Sequence, residues 1–445
     1  MRALAGRTAL AVATAACATM GSTAVFAIAI PDYRDTLDRA VAIPDTMDQV
    51  DPTQLQNRFN PFVADDIAYD SNIYRLPTQF NDLSSLKGIG NGATRGETDN
   101  SASAGLDAVW LPGNRQTIDL DLRVDDNRYF HNTDLDNISS TDRLVWNWGL
   151  GSALSGQVGA DYTRQLAGFL NTVVYSKNSL EEAEYFAAGR YQIGPRWAVF
   201  GGILDSTYSF TNVETDYNNS KNKNVEFGAD YQSESGNRLG ADYRYTDARY
   251  PNSILLNNVT FDPDNRQDRI RLVGRYIISD KTLIDAYAGY LKRTYPSEAL
   301  GGFSGEIWRA SFQWQATPKT QLVVGTWQDL DVDLTAQTDY FVSKGVNIEP
   351  IWTASEKLAF SLNVSRELHD YVGANPTGDT SPTAAATPLS QSRRDTVTGE
   401  TGSMVYTPTS SITVTVNAVH EVRGSNVEGF RYNDNRGDAS INFKF

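Results

Sequence analysis

Three histidines, His131, His369 and His420, are the side chains of this 445-residue chain best suited to acid–base chemistry near neutral pH. Two of them have an acidic neighbour in sequence, because Asp370 follows His369 and Glu421 follows His420. No serine stands in a Gly-x-Ser-x-Gly frame, and no His-Glu-x-x-His pattern occurs. We therefore predict that the protein is not an enzyme, and we assign no catalytic residue.

The residue pattern gives equally little support to metal or cofactor sites. The chain has one cysteine, which excludes a cysteine cluster and a disulfide framework. The segment Asp262-Pro263-Asp264-Asn265 offers oxygen ligands for Ca²⁺, but acidic loop segments are usually only solvated. We expect no metal site and no cofactor. The formal charge of -15 and the isoelectric point near 4.7 argue against nucleic acid as a partner.

Arginines that alternate with apolar residues suggest a different chemistry. Arg269, Arg271 and Arg275 fall on one face of an extended segment, at about 6.5–7 Å for each two-residue step. Two interpretations are open for such charges. They pair with acidic neighbours and hydrate a wall, or they form a basic track that guides an anionic or polyhydroxylated solute.

The elements that must position these charges are β-strands. From about residue 61 onward the chain alternates apolar and polar residues, as in Ile118-Asp119-Leu120-Asp121-Leu122-Arg123-Val124. Tight turns alternate with long polar connections at a spacing of about 40 residues. Nine long loops and eight short turns make nine hairpins and hence eighteen strands, with sixteen as the alternative.

This asymmetry predicts an all-β fold, a transmembrane antiparallel outer-membrane β-barrel with short periplasmic turns and long extracellular loops. A mean hydropathy of -0.41 excludes a bundle of transmembrane helices. Aromatic residues near the strand ends fit girdles at the two membrane interfaces. These aromatic residues are Trp110, Trp146, Trp148, Tyr185, Trp197, Tyr250, Trp308, Trp314, Trp327, Trp352 and Tyr406.

A closed barrel in lipid places the alternate, charged residues around a wet lumen, where ionised groups keep their water. We expect Ile118, Leu120 and Leu122 to face lipid. If the arginines pair, their acidic partners are Asp230, Asp242 and Asp285. The expected lumen and substrate-path residues are Asp119, Asp121, Arg123, Arg190, Arg244, Arg269, Arg271, Arg275 and Arg309.

The N-terminus predicts export from the cytoplasm. Arg2 and Arg7 precede a stretch of small and apolar residues, and Val25-Phe26-Ala27 supplies a cleavage site, so residues 1–27 are predicted to be a signal peptide. A membrane anchor and a lipoprotein signal ending at Cys17 are the alternatives. Residues 28–60 lack alternation and are predicted to form a periplasmic segment that docks a partner or enters the pore. Residues 61–445 are assigned to the barrel.

Two segments carry a resemblance to a known family. Tyr69-Asp70-Ser71-Asn72-Ile73-Tyr74-Arg75 resembles the first strand of the β-barrel porin type 2 family, which includes EpsL-like proteins of exopolysaccharide systems. The chain ends on an alternating strand with Phe443 and Phe445, which resembles the signal read by the barrel-assembly machinery. The resemblance implies an outer-membrane barrel that passes a secreted polysaccharide, with periplasmic export or co-polymerase proteins as partners beside the lipid bilayer.

Two main functions therefore remain open at this point. The first is export of a bacterial exopolysaccharide, and the alternative is a diffusion porin for the uptake of small solutes. A purely structural outer-membrane protein is a weaker third. Porins fold one long loop into the pore, and residues 72–101 and 369–392 are the longest candidates for such a loop.

Overall fold

The computed structural model describes residues 57–77, 80, 83, 86, 88–90, 92–113, 115–170, 175–252, 254–256, 259–296, 302–331, 340–372 and 393–445. The predictions for residues 1–27 and for most of residues 28–60 lie outside this part of the chain. No helix among the described residues is long and apolar enough to cross a membrane.

The described part of the chain contains twenty strands, and eighteen of them form a single antiparallel sheet. The prediction of eighteen strands is confirmed. The strands are β1 Arg58–Asp70, β2 Glu97–Gly113, β3 Gln116–Tyr129, β4 Asn137–Leu150, β5 Leu154–Leu166, β6 Ser179–Ile193, β7 Trp197–Phe210, β8 Ser220–Gln232, β9 Arg238–Arg249, β10 Ile254–Leu256, β11 Val259–Phe261, β12 Asn265–Ser279, β13 Thr282–Thr294, β14 Phe303–Thr317, β15 Thr320–Asp331, β16 Tyr340–Ser355, β17 Leu358–Val372, β18 Arg394–Thr409, β19 Ile412–Ser425 and β20 Tyr432–Lys444.

The sheet closes because β1 pairs with β2 on one side and with β20 on the other. The closing register runs from Phe62 opposite Lys444 to Asp70 opposite Arg436. Closure leaves no unpaired edge in the eighteen-stranded sheet formed by the described strands, and this is the condition for a sheet to stand in lipid.

Short turns and long connections lie at opposite ends of the barrel, as the sequence predicts. Turn residues with positive φ include Gly151, Gly194 and Gly236, where glycine adopts the left-handed conformation without a Cβ clash. The small hairpin β10–β11 belongs to the connection between β9 and β12. The start of β1 and the end of β20 both lie at the short-turn end.

The outer surface carries an apolar belt. Leu239, Ile270 and Leu272 are about 60% exposed, whereas the alternate residues Asp242 and Arg271 on the same strands are buried. Toward the short-turn end the belt is bordered by exposed aromatic rings, and toward the long-loop end by charged residues on outward positions. The aromatic border includes Trp110, Trp197, Trp314, Trp352 and Tyr406, and the charged border includes Asp126, Asp142, Asp205, Asp247 and Asp268.

Trp327 is the clear exception to the predicted girdle. It points inward, is 4% exposed, and donates from Nε1 to Ser343 Oγ at 3.1 Å. The segment from Leu322 to Val324 is apolar at consecutive positions, so its residue pattern does not indicate which side faces lipid. The prediction that Trp327 belongs to an interfacial girdle is therefore wrong.

Candidate functional site

All nine predicted lumen residues occupy inward positions of their strands, on the face opposite the apolar belt. Arg190, Arg244, Arg271 and Arg309 are each at least nine-tenths buried, because neighbouring side chains cover them along the wall. Ile118, Leu120 and Leu122 alternate with Asp119, Asp121 and Arg123 on β3, and Leu122 is exposed on the outer face.

Asp230 on β8 accepts hydrogen bonds from two arginines. Arg190 on β6 donates to both carboxylate oxygens at 2.5 Å, and Arg238 on β9 donates to Oδ2 at 2.7 Å. To reach Asp230, Arg190 passes over the intervening strand β7, where the small side chain of Ala198 lies opposite Asp230. One carboxylate thus links β6, β8 and β9 by side-chain hydrogen bonds, with β7 lying between the first two.

Glu226, two residues earlier on the same face of β8, has three arginines around it. The distances from its Oε2 are 2.6 Å to Arg244 Nε, 3.2 Å to Arg269 Nη2 and 3.8 Å to Arg271 Nη2. Arg271 also donates from Nε to Asp242 Oδ1 at 2.9 Å. The two carboxylates and three guanidinium groups leave a surplus of positive charge at this point of the wall.

The wall continues across β13 and β14. Arg275 donates to Asp285 Oδ1 at 2.8 Å. The guanidinium of Arg309 lies 5.6 Å from the ring centroid of Trp327, within cation–π range. The predicted arginines Arg190, Arg244, Arg269, Arg271 and Arg275 therefore pair with carboxylates, and the pairs include Asp230, Asp242 and Asp285, as expected from the sequence.

The predicted residues on β3 are also held by neighbours. Asn147 donates to Asp119 Oδ2 at 2.7 Å, and Arg123 donates to Asp125 Oδ1 at 2.6 Å. Asp121 is exposed on the inner face, between Asp107 of β2 and Arg143 of β4 in the register. These side chains form a polar surface on the inner face of β3.

Sequence analysis missed an acidic cluster at the closing seam. Ala68 on β1 lies opposite Asp438 of β20 and opposite Asp99 of β2, with Asp66 and Asp70 two residues away on the same strand. Four carboxylates thus surround one small side chain. No local signal could reveal this cluster, because it requires the register between the first and last strands.

The long connection after β1 packs over the long-loop end. Its buried side chains are Tyr74, Leu76 and Leu86, and they pack against Phe169 and Tyr175 of the connection between β5 and β6. Burial, with the nearby charges of Glu97 and Asp134, raises the pKa of Tyr74 to about 12, so its hydroxyl stays protonated and donates to Asn132 Oδ1. The described part of residues 72–96 is therefore a packed segment. The other candidate loop lies mostly outside the described residues.

The histidines do not assemble an acid–base pair with their sequence neighbours. His420 faces outward whereas Glu421 faces inward, and His369 faces inward whereas Asp370 faces outward. Within the described ranges, no group of three or more His, Cys, Asp or Glu residues is placed to hold a metal ion. Asp264 of the acidic loop segment instead accepts from Arg249 and from the Tyr250 backbone.

The predicted assembly residues lie at the short-turn end of the closing strand. Phe443 points outward opposite Val63 of β1, and the backbone N–H of Phe445 donates to the Pro61 carbonyl at 3.0 Å. Phe445 is 75% exposed, so its ring is accessible at the end of the seam. Its recognition by assembly machinery stays a prediction.

A closed antiparallel sheet with an apolar outer belt and a charged inner wall is an outer-membrane β-barrel of the channel-forming class, with its short turns in the periplasm and its long loops outside the cell. Residues 272–445, less than half of the chain, match the family model described as "Putative beta-barrel porin 2". This match supports assignment to the porins and location in the outer membrane. No curated protein matches the sequence.

Several solved bacterial outer-membrane structures are similar to this chain. The outer membrane protein OpdK of Pseudomonas aeruginosa is 10% identical, with a TM-score of 0.43 over 87% of this chain and 99% of that one. OccK2 (OpdF) of Pseudomonas aeruginosa, in complex with glucuronate, is 11% identical, with a TM-score of 0.46 over 88% and 98%. A BenF-like porin from Pseudomonas fluorescens Pf-5 is 10% identical, with a TM-score of 0.46 over 87% and 98%.

Proposed function

We propose that this barrel is a diffusion channel for the uptake of small polar solutes across the outer membrane. The observation that carries the proposal is the inner wall, on which charged side chains follow one another across neighbouring strands of a closed sheet. Ionised groups at this density are favourable only beside water, and an eighteen-stranded barrel is wide enough to hold an aqueous channel.

The match to a porin family model supports transport, and it offers no support for export of an exopolysaccharide. Polysaccharide, co-polymerase proteins and the barrel-assembly machinery stay predicted partners only. We therefore favour the small-solute alternative over the export function that the resemblance implies.

Ion selectivity follows from the wall charges. The arginine-rich strands alone would favour anions, but inward carboxylates outnumber inward cationic side chains on the described strands. A lumen with surplus negative charge concentrates cations. We expect the open channel to prefer K⁺ to Cl⁻ in a KCl gradient.

The test is reconstitution of the folded barrel into planar bilayers and into liposomes. We expect stepwise conductance, a cation-selective reversal potential, and swelling of the liposomes in isosmotic glucose. The same amount of heat-unfolded protein is the control. Folded barrel that gives neither conductance nor swelling would contradict the proposal. A gene deletion that abolishes polysaccharide secretion and leaves solute uptake unchanged would favour export instead.

A further inference from the structure

The inward charges are unevenly distributed around the barrel. On β20, β1, β2 and β3, ten carboxylates face inward against four basic side chains. We call this surface the acidic wall. Its carboxylates are Asp66, Asp70, Glu97, Asp99, Asp107, Asp119, Asp121, Asp125, Asp434 and Asp438, and its basic residues are Arg58, Arg123, Arg436 and Lys444.

A second group of strands has the opposite balance. On β8, β9, β12, β13 and β14, seven arginines face inward against four carboxylates. We call this surface the arginine wall. Its arginines are Arg238, Arg244, Arg269, Arg271, Arg275, Arg293 and Arg309, and its carboxylates are Glu226, Asp230, Asp242 and Asp285. Internal pairing reduces the positive charge of this wall without cancelling it, because the numbers are unequal.

The two walls face each other. In the closed order of eighteen strands, β12 is nine strands from β1 in either direction, so the centre of the arginine wall lies opposite the closing seam. The charges also share a level, since Asp66 lies eight residues from the short-turn end of β1 and Arg271 eight residues from that of β12. The acidic and arginine-rich surfaces are therefore placed on opposite sides of the channel at a similar depth.

We propose that this channel selects small zwitterions, solutes that carry a carboxylate and an ammonium or guanidinium group on one molecule. This inference rests on the proposed diffusion function. An anion is attracted by the arginine wall and repelled by the acidic wall, and a cation experiences the reverse. A zwitterion lowers its energy against both walls when it enters with its carboxylate toward Arg269 and Arg271 and its cationic group toward Asp66 and Asp99.

The existing ion pairs of the arginine wall also help a bound zwitterion to leave the wall and move on through the channel. The wall arginines already have carboxylate partners, as Arg271 has Asp242 and Arg275 has Asp285. A solute carboxylate therefore exchanges with an existing partner, and each contact is weak and reversible. Conduction requires attraction that is strong enough for entry and weak enough for release.

The experiment is liposome swelling with four sugars of one ring size: glucose, glucosamine, glucuronate and the zwitterion 2-amino-2-deoxyglucuronate. At low ionic strength we expect the zwitterion to enter about tenfold faster than either singly charged sugar, at the lower limit of electrostatic steering. The advantage should vanish at about 1 M salt, where the screening length is about 3 Å. Glucose entry tests the diffusion function separately from this selectivity.

Two sets of variants test whether each wall contributes to the selectivity for zwitterions. Arg269→Gln with Arg271→Gln, or Asp66→Asn with Asp99→Asn, should each remove most of the zwitterion advantage while glucose entry persists. The matched control is Lys221→Gln with Lys223→Gln on the outward face of β8. Arg271→Lys keeps the charge and should keep the advantage, and heat-modifiable migration confirms assembly of every variant.

Each remaining outcome has one meaning. Glucose entry with no zwitterion advantage would overturn the selectivity and leave the diffusion function standing. No entry of any sugar would overturn both. An advantage lost only in the arginine variants would mean that one wall suffices, and the two-wall proposal would be wrong.

Discussion

Glu97, the first residue of β2, holds Asn132 of the connection between β3 and β4 by two hydrogen bonds to one carboxylate oxygen. The backbone N–H and the side-chain amide of Asn132 donate to Glu97 Oε2 at 2.6 and 2.5 Å. The backbone N–H groups of Phe130 and His131 donate to the other oxygen at 3.1 Å. A fully buried carboxylate thus organises a loop at the extracellular end.

Replacing Glu97 by Gln should destabilise this loop by about 1.5–3 kcal/mol, because charge-assisted bonds become neutral and one acceptor becomes a donor. Limited proteolysis of folded barrel in detergent measures the effect as faster cleavage near residue 131. Glu356→Gln, at an exposed turn of the opposite end, is the control. Equal cleavage rates for both variants would show that the Glu97 carboxylate is not needed.

Leu120→Arg should impair insertion, since an outward cation in the apolar belt costs about 2–4 kcal/mol near the bilayer centre. Ser440→Arg is the matched inward change, because Ser440 lies opposite Asp66 and a cation there meets a carboxylate. Urea titration of folding into lipid vesicles compares the two free energies of unfolding. Similar losses would refute the assigned facing.

Deletion of Phe445 should reduce assembly in the outer membrane more than export across the inner membrane. The residue ends the strand that closes the sheet, and its N–H bonds to Pro61 of β1. The readouts are the yield of heat-modifiable barrel and the amount of periplasmic precursor. Phe445→Trp, which keeps a terminal aromatic ring, should assemble normally, whereas normal yield of the deletion would count against an assembly role.

Asp230→Asn should destabilise the barrel more than Asp285→Asn. Asp230 is 3% exposed and accepts from two arginines, whereas Asp285 pairs with a single arginine whose side chain is 34% exposed. Removing one partner of a fully buried pair costs about 3–5 kcal/mol, and a pair with a partly exposed arginine is expected to contribute less because solvent screens it. Urea unfolding in vesicles ranks the two variants, and the reverse order would show that the Asp230 contacts are not stabilising.

The strand number and the turn asymmetry could be predicted because both are local. A window of a few residues is enough to recognise a strand, as in the alternation of residues 118–124. It is also enough to recognise a turn, as at Gly194. The sequence could suggest which acidic residues pair with the inward arginines, but it could not predict which residues lie close enough to form each pair. Arg190 and Asp230 are forty residues apart with a strand between them, and the acids around Ala68 meet only through the closing register. Trp327 shows the same limit, because consecutive apolar residues leave the facing of its strand undetermined.

The reach of Arg190 over β7 also has a mechanical consequence. Backbone hydrogen bonds of the sheet join only adjacent strands. They allow a large sheet to bend about the axis of any one strand. Two side-chain contacts join strands that are next-nearest neighbours: Arg190 with Asp230, and Tyr287 with Asp329. Each contact resists bending of the sheet about the strand that lies between its two partners. A braced wall keeps its cross-section when the surrounding lipid presses on it, which makes the width of the passage a property of the protein and not of the membrane around it.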